Sequence, residues 1–173
     1  MKSHTFMISL FLMGLFLFAF SCSQKMTEEQ MYAKAADLES KEQFDESVKM
    51  FERMVKTYPH GKKTEEALYR VGMMYASNLK DFEKSVNSFK KIVDDYPESE
   101  LYTNALFMIG FRYANDIKDY DKAKEVYTEF LEKYPDHELA SSVKWELDHL
   151  GQDISDIEFL GESSDSQTTD PGK

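Results

Sequence analysis

Three short stretches decide how this chain reads: "MVKTYPHG" (54–61), "IVDDYPES" (92–99) and "FLEKYPDH" (130–137). Their Tyr-Pro pairs, Tyr58-Pro59, Tyr96-Pro97 and Tyr134-Pro135, recur at intervals of 38 residues. A fixed period in this range marks a repeat array. The register extends upstream of each pair. Phe44, Phe82 and Tyr120 match, as do Ser47, Ser85 and Ala123, then Phe51, Phe89 and Tyr127, then Met54, Ile92 and Phe130. Within one copy these positions follow i, i+3, i+7 and i+10, which is one stripe of a helix. Proline cannot continue that helix and restricts the residue before it, so each copy stops at Tyr-Pro.

A second helical pattern precedes each of these. It reads "EEQMYAKAADLES" (28–40), "TEEALYRVGMMYASN" (64–78) and "LYTNALFMIGFRYAND" (101–116). Thr64 reads as a cap, with Glu65 and Glu66 in the first turn, where acids favour a helix start. Ala35, Gly72 and Gly110 occupy matching places. Glycine inside a helix costs ~1 kcal/mol against alanine, so a close helix–helix approach is expected there. Residues 138–150, "ELASSVKWELDHL", form one more amphipathic pattern, with Val143, Leu147 and Leu150 on its apolar face. It reads as the C-terminal cap that a repeat array requires. Beyond Gly151 the chain turns acidic and then Ser/Thr-rich without periodicity, so 151–173 reads as a disordered tail.

The helix–turn–helix unit resembles the tetratricopeptide repeat. The resemblance rests on Ala35, Gly72 and Gly110, on Phe44, Phe82 and Tyr120, and on Ser47, Ser85 and Ala123. It also rests on Phe51, Phe89 and Tyr127, and on the three prolines. It implies an all-α fold: a short right-handed α-solenoid of about three repeats plus a capping helix, over residues 28–150. The usual period is 34. Here the extra residues fall after each Tyr-Pro, with one more in the intra-repeat turns "SNLKD" and "NDIKD". That extended link is similar to those of bacterial lipoproteins of the BamD/YfiO kind and of the C-terminal repeat domain of YbgF/CpoB. BamD-like proteins have about five repeats and YbgF-like proteins an N-terminal coiled coil. Neither feature is seen here.

The N-terminus points to the same setting. Phe6 to Phe20 is almost wholly apolar, roughly 15 residues, shorter than a bilayer span and suited to the apolar region of a secretory signal. It ends at Ser21-Cys22, and Cys22 is the one cysteine of the 173 residues. The junction resembles a lipoprotein signal, although Ala19 and Phe20 depart from its usual Leu and small residue. The resemblance implies a signal peptide over 1–21, acylation of Cys22 with palmitate-type chains, and a linker over 22–27. It further implies anchoring in the outer membrane, facing the periplasm. Several acyl chains hold far more firmly than one.

No catalytic constellation, phosphate-cradling glycine loop or metal-ligand spacing is present. The chain reads as a non-enzyme that needs no cofactor or metal. A formal net charge of −11 repels nucleic acid phosphates, so nucleic acid is not an expected partner. Protein partners are expected instead. Inner positions of the first helix of each unit line the concave side in tetratricopeptide-like folds. They map to Tyr32, Tyr69 and Phe107, with Trp145 of the cap continuing the series and Met73 and Phe111 one turn on. Glu29, Glu66, Asn104 and Asn115 border them. An aromatic row of this kind suits an extended peptide or partner helix. The same rings also suit simple packing between neighbouring helices. The expected function is a lipid-anchored scaffold in outer-membrane protein assembly or envelope organisation. The alternative is a peptide- or glycan-binding accessory subunit of an envelope enzyme or secretion machine.

Overall fold

The computed structural model describes residues 25–152. The signal segment, Cys22 and the chain beyond Gln152 lie outside the described residues.

Seven α-helices follow one another, and there is no strand among the described residues. They are α1 Glu28–Ser40, α2 Phe44–Thr57, α3 Thr64–Met74, α4 Phe82–Asp95, α5 Tyr102–Arg112, α6 Tyr120–Lys133 and α7 Ala140–Asp148. Each packs on the next, which makes an α-solenoid of helical hairpins. The helix starts keep the sequence period. Phe44, Phe82 and Tyr120 open α2, α4 and α6, while Thr64, Tyr102 and Ala140 open α3, α5 and α7. By this register α7 is the first helix of a fourth unit.

The core of each hairpin is one aromatic ring against one small residue. Phe51, Phe89 and Tyr127 are fully buried. A Cβ on Gly72 would lie 2.7 Å from Phe89 Cζ, and one on Gly110 only 2.4 Å from Tyr127 Cε1. Glycine is therefore required for the approach of helix to ring. In the first hairpin Ala35, also fully buried, takes this place. Ser47 Oγ donates to the Ala35 carbonyl at 2.8 Å, and Ser85 Oγ to that of Gly72 at 2.7 Å, tying the paired helices together.

The extra intra-repeat residue has a definite shape. α3 and α5 run on into one turn of π-helix, Tyr75–Leu79 and Tyr113–Ile117. A π-turn absorbs one residue without breaking the helix. Lys80 and Lys118 then adopt left-handed backbone, with φ of 55° and 63°. Asp81 and Asp119 accept hydrogen bonds from the backbone N–H of Lys84 and Lys122, at 3.1 and 3.2 Å, and so cap α4 and α6. The first hairpin is one residue shorter and has no π-turn. Its left-handed residue is Glu42, and α2 starts without a side-chain cap.

The longer links after Tyr-Pro are two successive turns. The Tyr58, Tyr96 and Tyr134 carbonyls accept from the backbone N–H of Gly61, Ser99 and His137. Those three residues in turn accept from Thr64, Tyr102 and Ala140, where the next helix starts. The tyrosine side chains also clasp the array: Tyr58 donates to the Met26 carbonyl and Tyr96 to that of Pro59, both at 2.6 Å.

Two sequence expectations need correction. Thr64 does not cap α3. It is the first helical residue, fully buried, and its hydroxyl donates to the Tyr58 carbonyl. The acceptor at this helix start is Glu28 of α1, whose carboxylate takes the N–H of Lys62 at 3.2 Å and of Lys63 at 2.5 Å. Tyr120 opens the helical stripe of α6 but stays 39% exposed.

α7 is built as an end. Val143 is fully buried in the core against the preceding hairpin. Lys144 and Asp148 stand where Leu68 and Gly72, or Leu106 and Gly110, receive a second helix. Here they form an ion pair at 2.8 Å, with both side chains more than half exposed. A charged pair in these positions replaces the apolar seat for a second helix.

Candidate partner-binding face

The first helices of the units, α1, α3, α5 and α7, carry all six residues read from sequence as an aromatic face. Tyr32, Tyr69 and Phe107 are half-buried, and each meets the core ring of its own hairpin. Tyr32 lies edge-on to Phe51 at 5.4 Å between centroids, and Tyr69 edge-on to Phe89 at 5.3 Å. Phe107 is tilted over Tyr127 at 6.4 Å. No ring pair joins Tyr32, Tyr69 and Phe107 to one another among the described residues. Their inner sides are packing, and their outer sides remain open.

Neighbouring units are bridged differently along this face. Between α1 and α3, the Tyr32 hydroxyl donates to Glu66 and accepts from Arg70 Nη1 at 3.0 Å. Arg70 Nε reaches Glu39 at 3.5 Å, and Lys63 Nζ sits 4.7 Å above the Tyr32 ring. Burial, then the Glu66 carboxylate, push the Tyr32 phenol up to about 12. The same hydrogen bond holds Glu66 below the usual carboxylate range. The tyrosine thus stays protonated and the glutamate charged, a neutral-donor clasp rather than a proton-transfer pair. Between α5 and α7 the bridge is Asn115 Nδ2 donating to Glu146 at 3.3 Å.

The open part of the face lies toward Met73 and the C-terminal end. Met73, Tyr120 and Trp145 are the exposed large hydrophobic residues among those described, at 36, 39 and 47%. Phe111 stacks near Phe107 at 5.9 Å and is half-buried. Phe111, Tyr120 and Trp145 line one cleft of ≈ 170 Å³ between α5, α6 and α7, together with Asn115, Glu146 and His149. His149 stacks on Trp145 at 4.5 Å. Phe107 and Trp145 also share a shallow hollow with Ser142 and Glu146. The structure thus brings Phe107, Phe111 and Trp145 into one neighbourhood, while Tyr32 sits in a satisfied polar clasp. Burial lifts Tyr69's phenol above its ordinary value, with the Arg112 charge opposing. Sequence reading missed Arg70, Glu146 and His149. His149 lies 38 residues after Phe111, and the repeat register carried one unit further would have placed it.

Among the described residues no group of His, Cys, Asp and Glu is arranged to hold a metal ion, and no helix is long and apolar enough to cross a membrane.

Residues 66–99 and 104–137 each match the tetratricopeptide repeat model. These findings support a tetratricopeptide-repeat protein. The two matches are themselves 38 residues apart, in the register of the helices. The tetratricopeptide-repeat domain of Sgt2 from Aspergillus fumigatus, known from its crystal structure, superposes with a TM-score of 0.51 at 13% identity. The alignment covers 84% of this chain and 90% of that one. At this identity the likeness shows the fold alone. No match was found among curated proteins. The tetratricopeptide fold is generally a scaffold for protein–protein interaction, and the described face fits that coarse role.

Proposed function

We propose that this protein is a lipid-anchored, non-enzymatic scaffold at the periplasmic face of the outer membrane. On this reading it binds protein partners of envelope assembly through the face of α1, α3, α5 and α7. The observation that carries the binding part is the position of the exposed apolar side chains. Two of the three, Met73 and Trp145, fall on one face at positions set by the repeat register, and the third rims the same cleft. Exposed rings backed by a packed core are pre-organised and lose little freedom on binding. The anchor part is supported by the apolar run that ends at Ser21-Cys22.

The anchor is tested by Cys22→Ala in cells fed labelled palmitate. The parent chain takes up label and fractionates with outer membrane. The variant remains a larger, unlabelled precursor. A variant that matures to the parent mass and still partitions with lipid overturns the lipoprotein reading. The cleft's mix of exposed indole, amide and carboxylate also favours the alternative of a peptide- or glycan-binding accessory. Titration of the protein with soluble peptidoglycan fragments, following Trp145 emission, separates the two.

A further inference from the structure

The hairpin pattern is incomplete at Trp145. Tyr32, Tyr69 and Phe107 each rest against a ring from the second helix of their own unit. The register carries that ring from Tyr127 to Asp165, which has none. Trp145 is left 47% exposed, with the His149 imidazole on one side. A large indole left this open on a capping helix is a surface awaiting a cover.

The chain's own path indicates the cover. Gly151 turns with a φ of 78°, beside the Tyr120 ring. Gly151 and Gln152 both line the cleft that holds Trp145, Phe111 and Tyr120. The next eight residues, "DISDIEFL" (153–160), therefore start inside it. They carry four large apolar side chains, Ile154, Ile157, Phe159 and Leu160, and Phe159 is the first Phe, Tyr or Trp after Trp145. Eight residues reach ~26–29 Å extended or ~12 Å as helix. Either is enough to return along a helix as short as α7, which spans about 14 Å. The acids between them, Asp156 and Glu158, face a rim that includes Lys118 and His149.

We propose that the segment Ile154–Leu160 folds back over α7 and covers Trp145, with Phe159 taking the place that Phe51, Phe89 and Tyr127 hold in the other units. The fourth unit is then closed by a short segment instead of a second helix. Its seat overlaps the C-terminal end of the partner-binding face, so a partner that uses Trp145 displaces it. The docking stands on the packing of α7 and is measured without any partner, so its failure is separate from failure of the scaffold reading.

Trp145 is the single tryptophan, which makes the test direct. Acrylamide quenching of its emission is measured on the purified full chain, on Ile157→Asp and Phe159→Asp, and on Ser163→Asp as a control. Circular dichroism checks that helix content is unchanged. The expected result is a red-shifted emission and quenching raised about twofold or more in the two apolar-to-Asp variants, on the scale of uncovering a ring that is 47% exposed. Ser163→Asp behaves as the parent. A synthetic peptide of residues 153–162 added to Phe159→Asp restores protection. Equal quenching in all four proteins overturns the proposal. So does protection that depends on protein concentration and ignores the tail substitutions, which would assign the cover to a second copy of the chain.

Discussion

At Gly110 the absence of one methyl group sets how closely α5 and α6 pack. An added Cβ would lie 2.4 Å from the Tyr127 ring, which is fully buried and has no room to move aside. Gly110→Ala gains ~1 kcal/mol of helix propensity but overpacks the contact by ~1–3 kcal/mol. The expected outcome is a net loss of stability, read as a lower urea midpoint, and Gly110→Leu loses more. A second residue-scale prediction concerns alkaline pH. Tyr32's phenol is raised to about 12 from an unfolded value near 10. A raised pKa contributes stability that is fully present below the unfolded value and is lost as pH rises through the folded one. Tyr32→Phe should therefore flatten the fall in stability between pH 10 and 12, measured by denaturant midpoints across that window. The glycines were legible in the sequence because mid-helix glycine is costly and recurred in register. Thr64 was misread because the preference of threonine for helix starts says nothing of Glu28, which reaches that start from another helix.

At the scale of elements, each cap and turn has its own contribution. Asp81 accepts the Lys84 N–H and also pairs with the Lys84 ammonium at 2.8 Å. These contacts hold its carboxyl below the ordinary value, with the Lys84 side chain the first cause. A depressed carboxylate contributes stability present above the unfolded pKa and lost as pH falls through the folded one. Asp81→Ala should cost about 1 kcal/mol at neutral pH, a usual figure for an N-cap. The difference from the parent should shrink as pH drops below 4, which thermal melts at several pH values will show. The periodic helices α2, α4 and α6 were readable from their apolar stripes. The π-turns were not, because an inserted residue is visible in the spacing while its backbone form is not. α7 was readable as a cap, but only the structure shows how it ends the array. Its Lys144–Asp148 pair occupies the seat that Leu and Gly keep for a second helix.

The whole molecule is a stack in which each hairpin contacts its neighbours, so stability is shared along the array and the binding face is assembled from several units. The repeat register located that face in the sequence. It did not show which side of each ring is open, because burial depends on the second helix of the same unit. Tyr32 is held by Glu66 and Arg70, whereas Trp145 has no second helix to lie against. The central claim is that the open residues of this face anchor partners and are not core. Its most direct measurement compares Met73→Ala/Trp145→Ala with Phe89→Ala in the full chain, recording melting and partner crosslinking in membranes on the same proteins. Phe89→Ala should lose ~3–5 kcal/mol of stability, as a buried ring does. The double variant should melt close to the parent and lose the crosslinks, since each lost hot-spot anchor costs about 2 kcal/mol or more of binding. A double variant that melts as early as Phe89→Ala, or that keeps every crosslink of the parent, would contradict the account.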